Sequence, residues 1–163
     1  MNVTSLHERF DTASLRKAFG KFATGVTVVA FRDDEGVAGI TVNSFTSVSL
    51  EPPLLLVSVQ KTSRCHDRML DREFSVSVLS DRQHSVARSF ASRDRHGAPP
   101  WDLSGKVPKV DGAISWFECE PWAHYDAGDH TLLVGEIRNF GSDEGEPLLF
   151  YGGRMLEPQS DAW

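Results

Sequence analysis

Alternation of apolar and polar residues along the chain predicts many strands and few helices. Thr12–Phe22 repeats apolar residues at helical spacing, and Asp11 or Thr12 can cap its start. Downstream, runs rich in β-branched and apolar residues lie between turn residues, which is typical of strands. The predicted strands are Val26–Phe31, Val37–Val42, Leu54–Gln60, Phe74–Leu79, Ala113–His124, Thr131–Phe140 and Pro147–Tyr151, with Arg154–Leu156 after a Gly152-Gly153 kink.

Two more short helices are predicted between these strands, one at Arg64–Leu70 and one from Ser80 or Asp81 to Ala91. Asn43–Leu50 is polar and small and is not counted among the strands, and Ser92–Gly112 is predicted to be a long loop because it is rich in Gly and Pro. The strands follow one another in hairpins rather than in β-α-β alternation. The pattern therefore predicts a mostly β fold, an antiparallel barrel of six or seven strands with short peripheral helices.

Length and charge limit the function classes that fit this barrel. The chain has 163 residues, which predicts a single domain spanning 1–163, with tails at 1–10 and 157–163. Its formal net charge of −6 disfavours a broad surface for nucleic acid or anionic membrane. An anionic ligand would need a local cluster of donors.

The cysteines and the apolar runs indicate a cytoplasmic protein. Cys65 and Cys119 form no CxxC pair, and so few cysteines exclude a disulfide scaffold. The first residues carry charges throughout and lack the apolar stretch of a signal peptide. The longest apolar run, Leu54–Val57, is far too short to cross a bilayer. We therefore expect a soluble cytoplasmic protein with free thiols.

The sequence contains none of the usual nucleotide or hydrolase motifs, since GxGxxG, P-loop, HExxH and GxSxG patterns are all missing. Five polar segments at the predicted ends of elements remain as candidates for chemistry: Thr41–Ser47, Lys61–Arg64, Arg88–Ser92, Gly128–Thr131 and Tyr151–Arg154. Hydroxyls, amides and glycines in these segments can bind a planar, hydrogen-bonding ligand, and their Lys and Arg residues can bind a phosphate.

Each segment also has an ordinary structural interpretation. The first can be a polar bulge that satisfies its own backbone, the second an N-cap and the third a cation at a helix C-terminus. The fourth can be a hairpin turn, and the fifth a bulge that closes the barrel. His124 and His130, with Asp126 and Asp129 between them, also allow a metal site, although their spacing matches no standard ligand set, and no metal is expected.

Taken together, the segments resemble the flavin-reductase-like family in order and spacing. The resemblance lies in Ala23–Val29, Thr41–Leu54, Phe74–Ser80, Gly128–Thr131 and Pro147–Tyr151, and it extends from about Leu15 to Leu156. Members of this family are small reductase components of two-component flavin-dependent monooxygenases with an FMN-binding split-barrel fold. The resemblance implies a homodimer with flavin near the subunit interface.

The resemblance also implies a role for each segment. Six residues would border the isoalloxazine and ribityl groups: Thr41, Val42, Asn43, Ser44, Phe45 and Ser47. The ribityl and phosphate end would lie near Ser58, Gln60, Lys61, Ser63 and Arg64, with Arg88, Phe90 and Ala91 completing the pocket. His130 matches the histidine near the nicotinamide and is the candidate catalytic residue. Tyr151, Gly152, Gly153 and Arg154 match the segment beside the pyridine nucleotide.

The function implied is an NAD(P)H:flavin oxidoreductase that reduces free FAD or FMN and supplies it to a partner monooxygenase. The flavin accepts a hydride from the nicotinamide, so no protein nucleophile is needed. Two alternatives stay open: a flavin-binding or electron-carrier module without nicotinamide turnover, and a metal-binding barrel that uses His124 and His130. The sequence does not distinguish FAD from FMN or NADH from NADPH.

Overall fold

The computed structural model describes residues 10–91 and 100–156. Its α-helices are α1 (Thr12–Phe19), α2 (His66–Met69) and α3 (His84–Ala91), and a 3-10 turn at Asp81–Gln83 leads into α3. The strands, numbered β1 to β12, are Thr24–Gly25, Thr27–Asp33, Gly36–Val42, Thr46–Leu50, Pro53–Gln60, Phe74–Val78, Trp101–Asp102, Lys109–Val110, Ser115–Ala127, His130–Ser142, Leu149–Tyr151 and Arg154–Leu156. None of the helices in these two ranges is long and apolar enough to cross a membrane.

Seven strands form one antiparallel sheet in the order β3-β2-β6-β9-β10-β5-β4. The sheet curls until β3 approaches β5, so six strands surround a barrel and β4 extends the sheet beyond β5. The prediction of a mostly β, antiparallel barrel with short helices is confirmed. Two smaller sheets, β1-β11-β12 and β7-β8, are separate from the seven-stranded sheet.

One side chain joins the two ends of the barrel wall. Ser58 N–H donates to Ser44 Oγ, which in turn donates to the Ser58 carbonyl, both at 2.9 Å. The hydroxyl therefore acts at the end of β3 as a backbone donor and acceptor would in a ladder. Beyond this contact β3 is an edge strand, and its free edge faces β5 across a gap.

Buried residues lie on both faces of the barrel wall, and β2 shows this most clearly. Val29 and Phe31 point into the barrel core with Val57 and Val76, whereas Val28 packs outside the wall against a second apolar cluster. The second cluster is formed by α3 and the segment around β11, and its buried members include Leu79, Ala87, Phe90 and Leu148. Because both faces are covered, Thr27–Phe31 reads as a continuous buried run rather than an alternating one.

The longest strand that the sequence pattern missed is β4. Its residues alternate small hydroxyls with Val48 and Leu50, and both apolar side chains are exposed in the single chain. No buried face marks the segment, so periodicity does not reveal it. It is a strand because it pairs with β5, from Thr46 opposite Leu56 to Leu50 opposite Pro53.

Other boundaries also differ from the prediction. The first helix ends at Phe19 rather than Phe22, because Gly20 caps it and tighter turns carry the chain through 22. The predicted long loop contains the β7–β8 pair, in which Trp101 lies opposite Val110. The part of that loop at 92–99 and the predicted tails, apart from Phe10, lie outside the described residues.

A buried ion pair fixes the β7–β8 segment to the barrel. Lys109 Nζ lies 3.1 Å from Glu118 Oε1, and the two side chains are only 7% and 11% exposed. Asn139 Nδ2 donates to the other Glu118 oxygen at 3.3 Å, and Lys109 Nζ lies 4.2 Å from the centre of the Trp116 ring. Both charges are thus desolvated, and Glu118 depends on Lys109, which also lies 3.7 Å from Asp102.

Removing one member of this pair is expected to cost more than removing both. Lys109→Met should lower the free energy of unfolding by about 3–5 kcal/mol, because it leaves the Glu118 carboxylate buried without its cation. Lys109→Met combined with Glu118→Leu should recover part of that loss. Urea unfolding of the two variants and the parent measures both values, and a double variant no more stable than Lys109→Met would contradict the prediction.

Candidate functional site

A surface cleft of about 360 Å³ lies at the gap in the barrel wall. Its volume is within the range of small-molecule sites, which is roughly 300–1,000 Å³. The middle of β3, the end of β5, the segment leading into α2 and the last turn of α3 surround it. The lining residues are Gly39, Ile40, Thr41, Gln60, Thr62, Ser63, Arg64, Cys65, Phe90 and Ala91.

Contacts from α3 and α2 hold the β3 side of the cleft. Thr41 Oγ1 donates to the Ala87 carbonyl at 2.7 Å, which ties β3 to α3. The Cys65 thiol lies 3.6 Å from the Gly39 carbonyl, which ties β3 to the start of α2. The cleft is therefore held by elements that are far apart in the sequence.

An aromatic pair closes the cleft next to Gly39. The rings of Phe90 and Trp101 are 5.0 Å apart between centroids and inclined at 50°. A methyl group on Gly39 would approach Trp101 to 3.0 Å and Phe90 to 3.2 Å. Glycine at this position lets both rings pack directly on the backbone of β3, and Phe90 gives the cleft an apolar wall there.

The helix start predicted at Arg64 is wrong, because α2 begins at His66 and has only four residues. Residues 60–66 instead form successive turns, in which Ser63 N–H donates to the Gln60 carbonyl at 2.9 Å and His66 N–H to the Ser63 carbonyl at 3.1 Å. An anion at this position would therefore be bound by Arg64 itself, not by a helix dipole. Arg64 is exposed and forms no ion pair within residues 10–91 and 100–156.

His130 is not among the residues that line the cleft, but the strand register places it beside Gln60, which is. It is opposite Gln60 on β5 and opposite Ala127 on β9. Its Nδ1 lies 2.7 Å from Asp129 Oδ1, and its side chain is 39% exposed. The hydrogen bond from His130 holds the pKa of Asp129 below its usual value, with smaller contributions from the charges of His130 and Arg16. With Asp129 ionised, Nδ1 carries the hydrogen and Nε2 is left for a ligand.

The hairpin turn that carries His130 is fixed to the cleft by three contacts. Lys61 N–H donates to the Asp129 carbonyl at 2.9 Å, and the Lys61 ammonium pairs with Asp126. The buried His66 imidazole lies 2.7 Å from Thr131 Oγ1 and 2.6 Å from the Asp67 carboxylate. The charge of Lys61 is thus already paired, which leaves Arg64 as the cation for a ligand in the cleft.

Several residues expected to touch the flavin have other partners in the structure. Ser44 and Ser58 bond each other, Val42 packs against the barrel core, and the Phe45 ring stacks on Phe117 at 5.7 Å. Asn43, Ser47 and Arg88 are exposed near the cleft elements but are not among its lining residues. Their roles toward a ligand stay predictions.

The Tyr151–Arg154 segment forms a two-residue hairpin turn between β11 and β12. Gly152 and Gly153 have φ angles of 59° and 79°, which favour glycine. Gly152 N–H donates to the Gly20 carbonyl at 2.8 Å, so the turn packs on the end of α1. A second groove, of about 350 Å³, lies between them and is lined by Arg16, Lys17, Gly20, Lys21, Gly152 and Gly153.

The structure does not support a metal site at His124 and His130. The ladder places His130 opposite Ala127, three residues from His124, so the two imidazoles lie on opposite faces of the hairpin. His124 pairs with Asp71 at 3.3 Å and His130 with Asp129. Within the described residues, no group of three or more His, Cys, Asp or Glu side chains has the arrangement of a metal site.

Sequence reasoning missed both the β3 glycine and the basic residues of the second groove. Gly39 lies inside an apolar run, and only the packing of Phe90 and Trp101 shows why it must be small. Arg16, Lys17 and Lys21 look like ordinary cations near a helix C-terminus. Their meeting with the Gly152–Gly153 turn depends on pairing between β1 and β11, which no local pattern indicates.

Comparison with known proteins identifies the family. Residues 19–158 match the family model described as a flavin reductase like domain. The chain belongs to the flavin reductase-like family. The FMN reductase (NADH) SmoA of Agrobacterium fabrum is 42% identical over 146 residues, which cover 88% of this chain and 84% of that protein.

Two further relatives in the flavin reductase-like family cover most of this chain. The reductase component of the flavin-dependent trigonelline monooxygenase of Acinetobacter baylyi is 43% identical over 88% of this chain, which spans only about half, 48%, of that relative's length. The solved NADH:FAD oxidoreductase of Streptomyces globisporus, in complex with NAD and FAD fragments, superposes with a TM-score of 0.85 at 41% identity and covers 93% of this chain and 95% of its own.

Proposed function

We propose that this protein is an NAD(P)H-dependent flavin reductase that reduces free FAD or FMN and supplies the reduced flavin to a partner monooxygenase. The observation that carries the proposal is the cleft at the gap between β3 and β5, which combines the aromatic ring of Phe90, hydroxyl and amide groups, an exposed arginine and an adjacent histidine. This donor set fits a planar heterocycle with a phosphate tail.

The residues of the cleft bind and orient the ligand rather than form a bond to it. A bound flavin supplies the hydride acceptor, and that chemistry belongs to the cofactor. Gln60, Thr62 and Ser63 offer donors and acceptors to the polar edge of a planar ring, and Arg64 offers a bidentate fork to a phosphate. Phe90, with Trp101 packed against it, offers an apolar surface to the ring.

His130 contributes by orientation. Asp129 accepts its Nδ1 hydrogen, so an imidazole without a second proton would present Nε2 as an acceptor toward the nicotinamide carboxamide. An acceptor fixed in this way would hold the nicotinamide ring over the flavin. Less orientational freedom would then be lost in reaching the geometry of hydride transfer. His130 is the residue we assign to this role.

Release of the product fits the position of the cleft. The cleft opens at the protein surface, and its cation, Arg64, is exposed, so a charge–phosphate contact here is screened by solvent and contributes little affinity. Moderate flavin affinity suits a reductase whose product must leave. The trigonelline relative is named as the reductase component of a monooxygenase, which supports a partner oxygenase here.

We also propose a homodimer, because the apolar face of α1 is exposed in the single chain. An eight-residue helix is marginal in water, and none of the α1 residues is buried. Its C-terminal cap, Gly20, contacts its own chain at the Gly152–Gly153 turn, where the exposed Arg16 and Lys17 line a groove. The apolar face carries Leu15, Phe19 and, just beyond the helix, Phe22, which are 42%, 70% and 78% exposed. Burial of this apolar row by a second copy explains the arrangement.

The activity assay crosses FAD and FMN with NADH and NADPH. Purified protein with added flavin should accelerate oxidation of the nucleotide, followed as loss of its absorbance without oxygenase present. The alternative, a flavin-binding carrier, would retain flavin stoichiometrically and oxidise neither nucleotide. That result would overturn the proposal.

His130→Ala should raise the KM for the nucleotide more than the KM for flavin. A lost hydrogen bond between neutral groups is worth about 0.5–1.5 kcal/mol, roughly a twofold to twelvefold change. His124→Ala is the matched control, since His124 is on the same hairpin but on its opposite face, and it should change neither constant. Equal changes in both KM values for His130→Ala would count against the role.

Phe19→Lys should convert the homodimer to a monomer at micromolar concentration, because it places a charge in the apolar row. Light scattering after gel filtration should change from twice the 18.1 kDa chain mass to that mass itself. Leu103→Lys, at an exposed leucine away from α1, is the control and should leave the dimer intact. A parent protein that runs as a monomer would rule out the dimer directly.

A further inference from the structure

His66 is a buried, titratable side chain to which the proposed function assigns no role. It is the first residue of α2 and is 8% exposed. Both nitrogens of its ring have partners, since Nδ1 lies 2.6 Å from Asp67 Oδ1 and Nε2 lies 2.7 Å from Thr131 Oγ1. Burial of a polar ring is tolerated when its nitrogens are hydrogen-bonded, so these two contacts hold the imidazole in one orientation.

The Asp67 carboxylate determines which ring nitrogen faces Thr131 with or without a hydrogen. The Asp67 side chain is 92% exposed, and an ionised carboxylate only accepts hydrogen bonds, so Nδ1 carries a hydrogen. In an imidazole with one proton, Nε2 then accepts from the Thr131 hydroxyl. In an imidazole with two protons, Nε2 donates to the same oxygen. The bond joins the same two atoms in either state and does not depend on the protonation of His66.

On one side, His66 is attached to the wall of the flavin cleft. Its N–H donates to the Ser63 carbonyl at 3.1 Å, and it directly follows Arg64 and Cys65 in the chain. These three residues line the cleft. The Cys65 thiol in turn lies 3.6 Å from the Gly39 carbonyl on β3. The imidazole is therefore fixed relative to the surfaces that would contact a flavin.

On the other side, the bond reaches the residue next to His130. Thr131 is 5% exposed and lies opposite Val59, a residue of the barrel core. Successive residues of a strand point to opposite faces, so the His130 side chain lies on the other face of β10. His130 is bonded to Asp129, its own neighbour in the turn, and that bond moves with the turn. The position of His130 relative to the cleft must therefore be fixed through its neighbours in the chain.

Lys61 also connects this turn to the cleft, but it does so at the protein surface. Its N–H donates to the Asp129 carbonyl at 2.9 Å, and its ammonium pairs with Asp126, whose side chain is 80% exposed. An exposed ion pair contributes little. A hydrogen bond between two buried side chains is stronger in its low-dielectric surroundings, and its loss leaves a polar atom unsatisfied. The bond between His66 and Thr131 is of this buried kind.

We propose that His66 is a positioning residue for flavin reduction, which holds His130 at a fixed distance from the flavin cleft through Thr131. The inference rests on the proposed function, in which His130 orients the nicotinamide over the flavin. His66 is not among the residues that line the cleft, so it acts through His130 rather than on a ligand. Loss of the bond would let the hairpin shift, which would weaken nucleotide binding more than flavin binding.

Thr131→Val tests the bond without changing α2 or the cleft. It removes the hydroxyl and keeps the branched shape that suits a strand. We expect the KM for the nucleotide to rise about threefold, which is within the effect of losing one hydrogen bond, and the KM for flavin to stay within about twofold. Thr131→Ser keeps a hydroxyl and should return the nucleotide KM to the parent value. An unchanged nucleotide KM in Thr131→Val would overturn the proposal.

A double variant separates positioning from a general effect on the structure. If the bond acts through His130, Thr131→Val should raise the nucleotide KM no further in a protein that already carries His130→Ala. Equal rises with and without the His130 imidazole would contradict the positioning role. His66→Leu breaks the same bond from the α2 side, so it gives the same measurement if Thr131→Val does not fold.

Ser75→Ala is the matched control. Ser75 is fully buried on β6, and its hydroxyl donates to the Pro108 carbonyl, so this variant also loses one buried hydrogen bond. Both KM values should stay at those of the parent, measured at a temperature at which unfolding curves show every variant folded. An equal rise of the nucleotide KM in Ser75→Ala would overturn the proposal, because lost stability would then explain both variants.

The same assays distinguish failure of the inference from failure of the proposed function. A parent protein that oxidises no nucleotide in the presence of flavin would refute the proposed function, and the positioning role with it. An active parent whose nucleotide KM is unaffected by Thr131→Val would refute the positioning role alone.

Discussion

The gap between β3 and β5 is the feature on which the site depends. A closed barrel would pair the backbone of β3 on both sides, but here β3 is an edge strand, and Ser44 bridges to Ser58 only at its end. The edge at Gly39–Thr41 is then covered by the start of α2 and the end of α3, which the Cys65 and Thr41 contacts hold in place. A cleft with polar groups and an aromatic wall results from this incomplete closure.

His130 is positioned by contacts between elements rather than by a local sequence motif. His130 is the first residue of β10, and the register with β5 brings it beside Gln60. Asp129 orients its ring, and Lys61 and His66 fix the turn from both sides. A flavin and a nicotinamide carry the reactive atoms themselves, so the protein needs orientation and exclusion of water rather than a nucleophile. The missing hydrolase motifs are consistent with this chemistry.

The apolar residues of α1 are exposed in the single chain. The helix is fixed at its end, where Gly20 contacts the Gly152–Gly153 turn, and Phe19 is 70% exposed. A helix placed in this way is stable only if something covers the apolar face. A second copy would do so.

The sequence by itself determined the fold class, because Val26–Phe31 and Phe74–Leu79 carry enough β-branched and apolar residues to be buried wherever they pair. It also indicated the flavin-reductase-like family, through short segments whose order and spacing are local properties of the chain. Tertiary structure decided what needs partners distant in sequence. β4 is a strand only through β5, α2 starts after Arg64 because turns occupy residues 60–66, and Arg16 faces Gly152 because β1 pairs with β11. Local patterns report which side chains are buried, whereas a cleft is made by the surfaces that several elements leave uncovered when they meet.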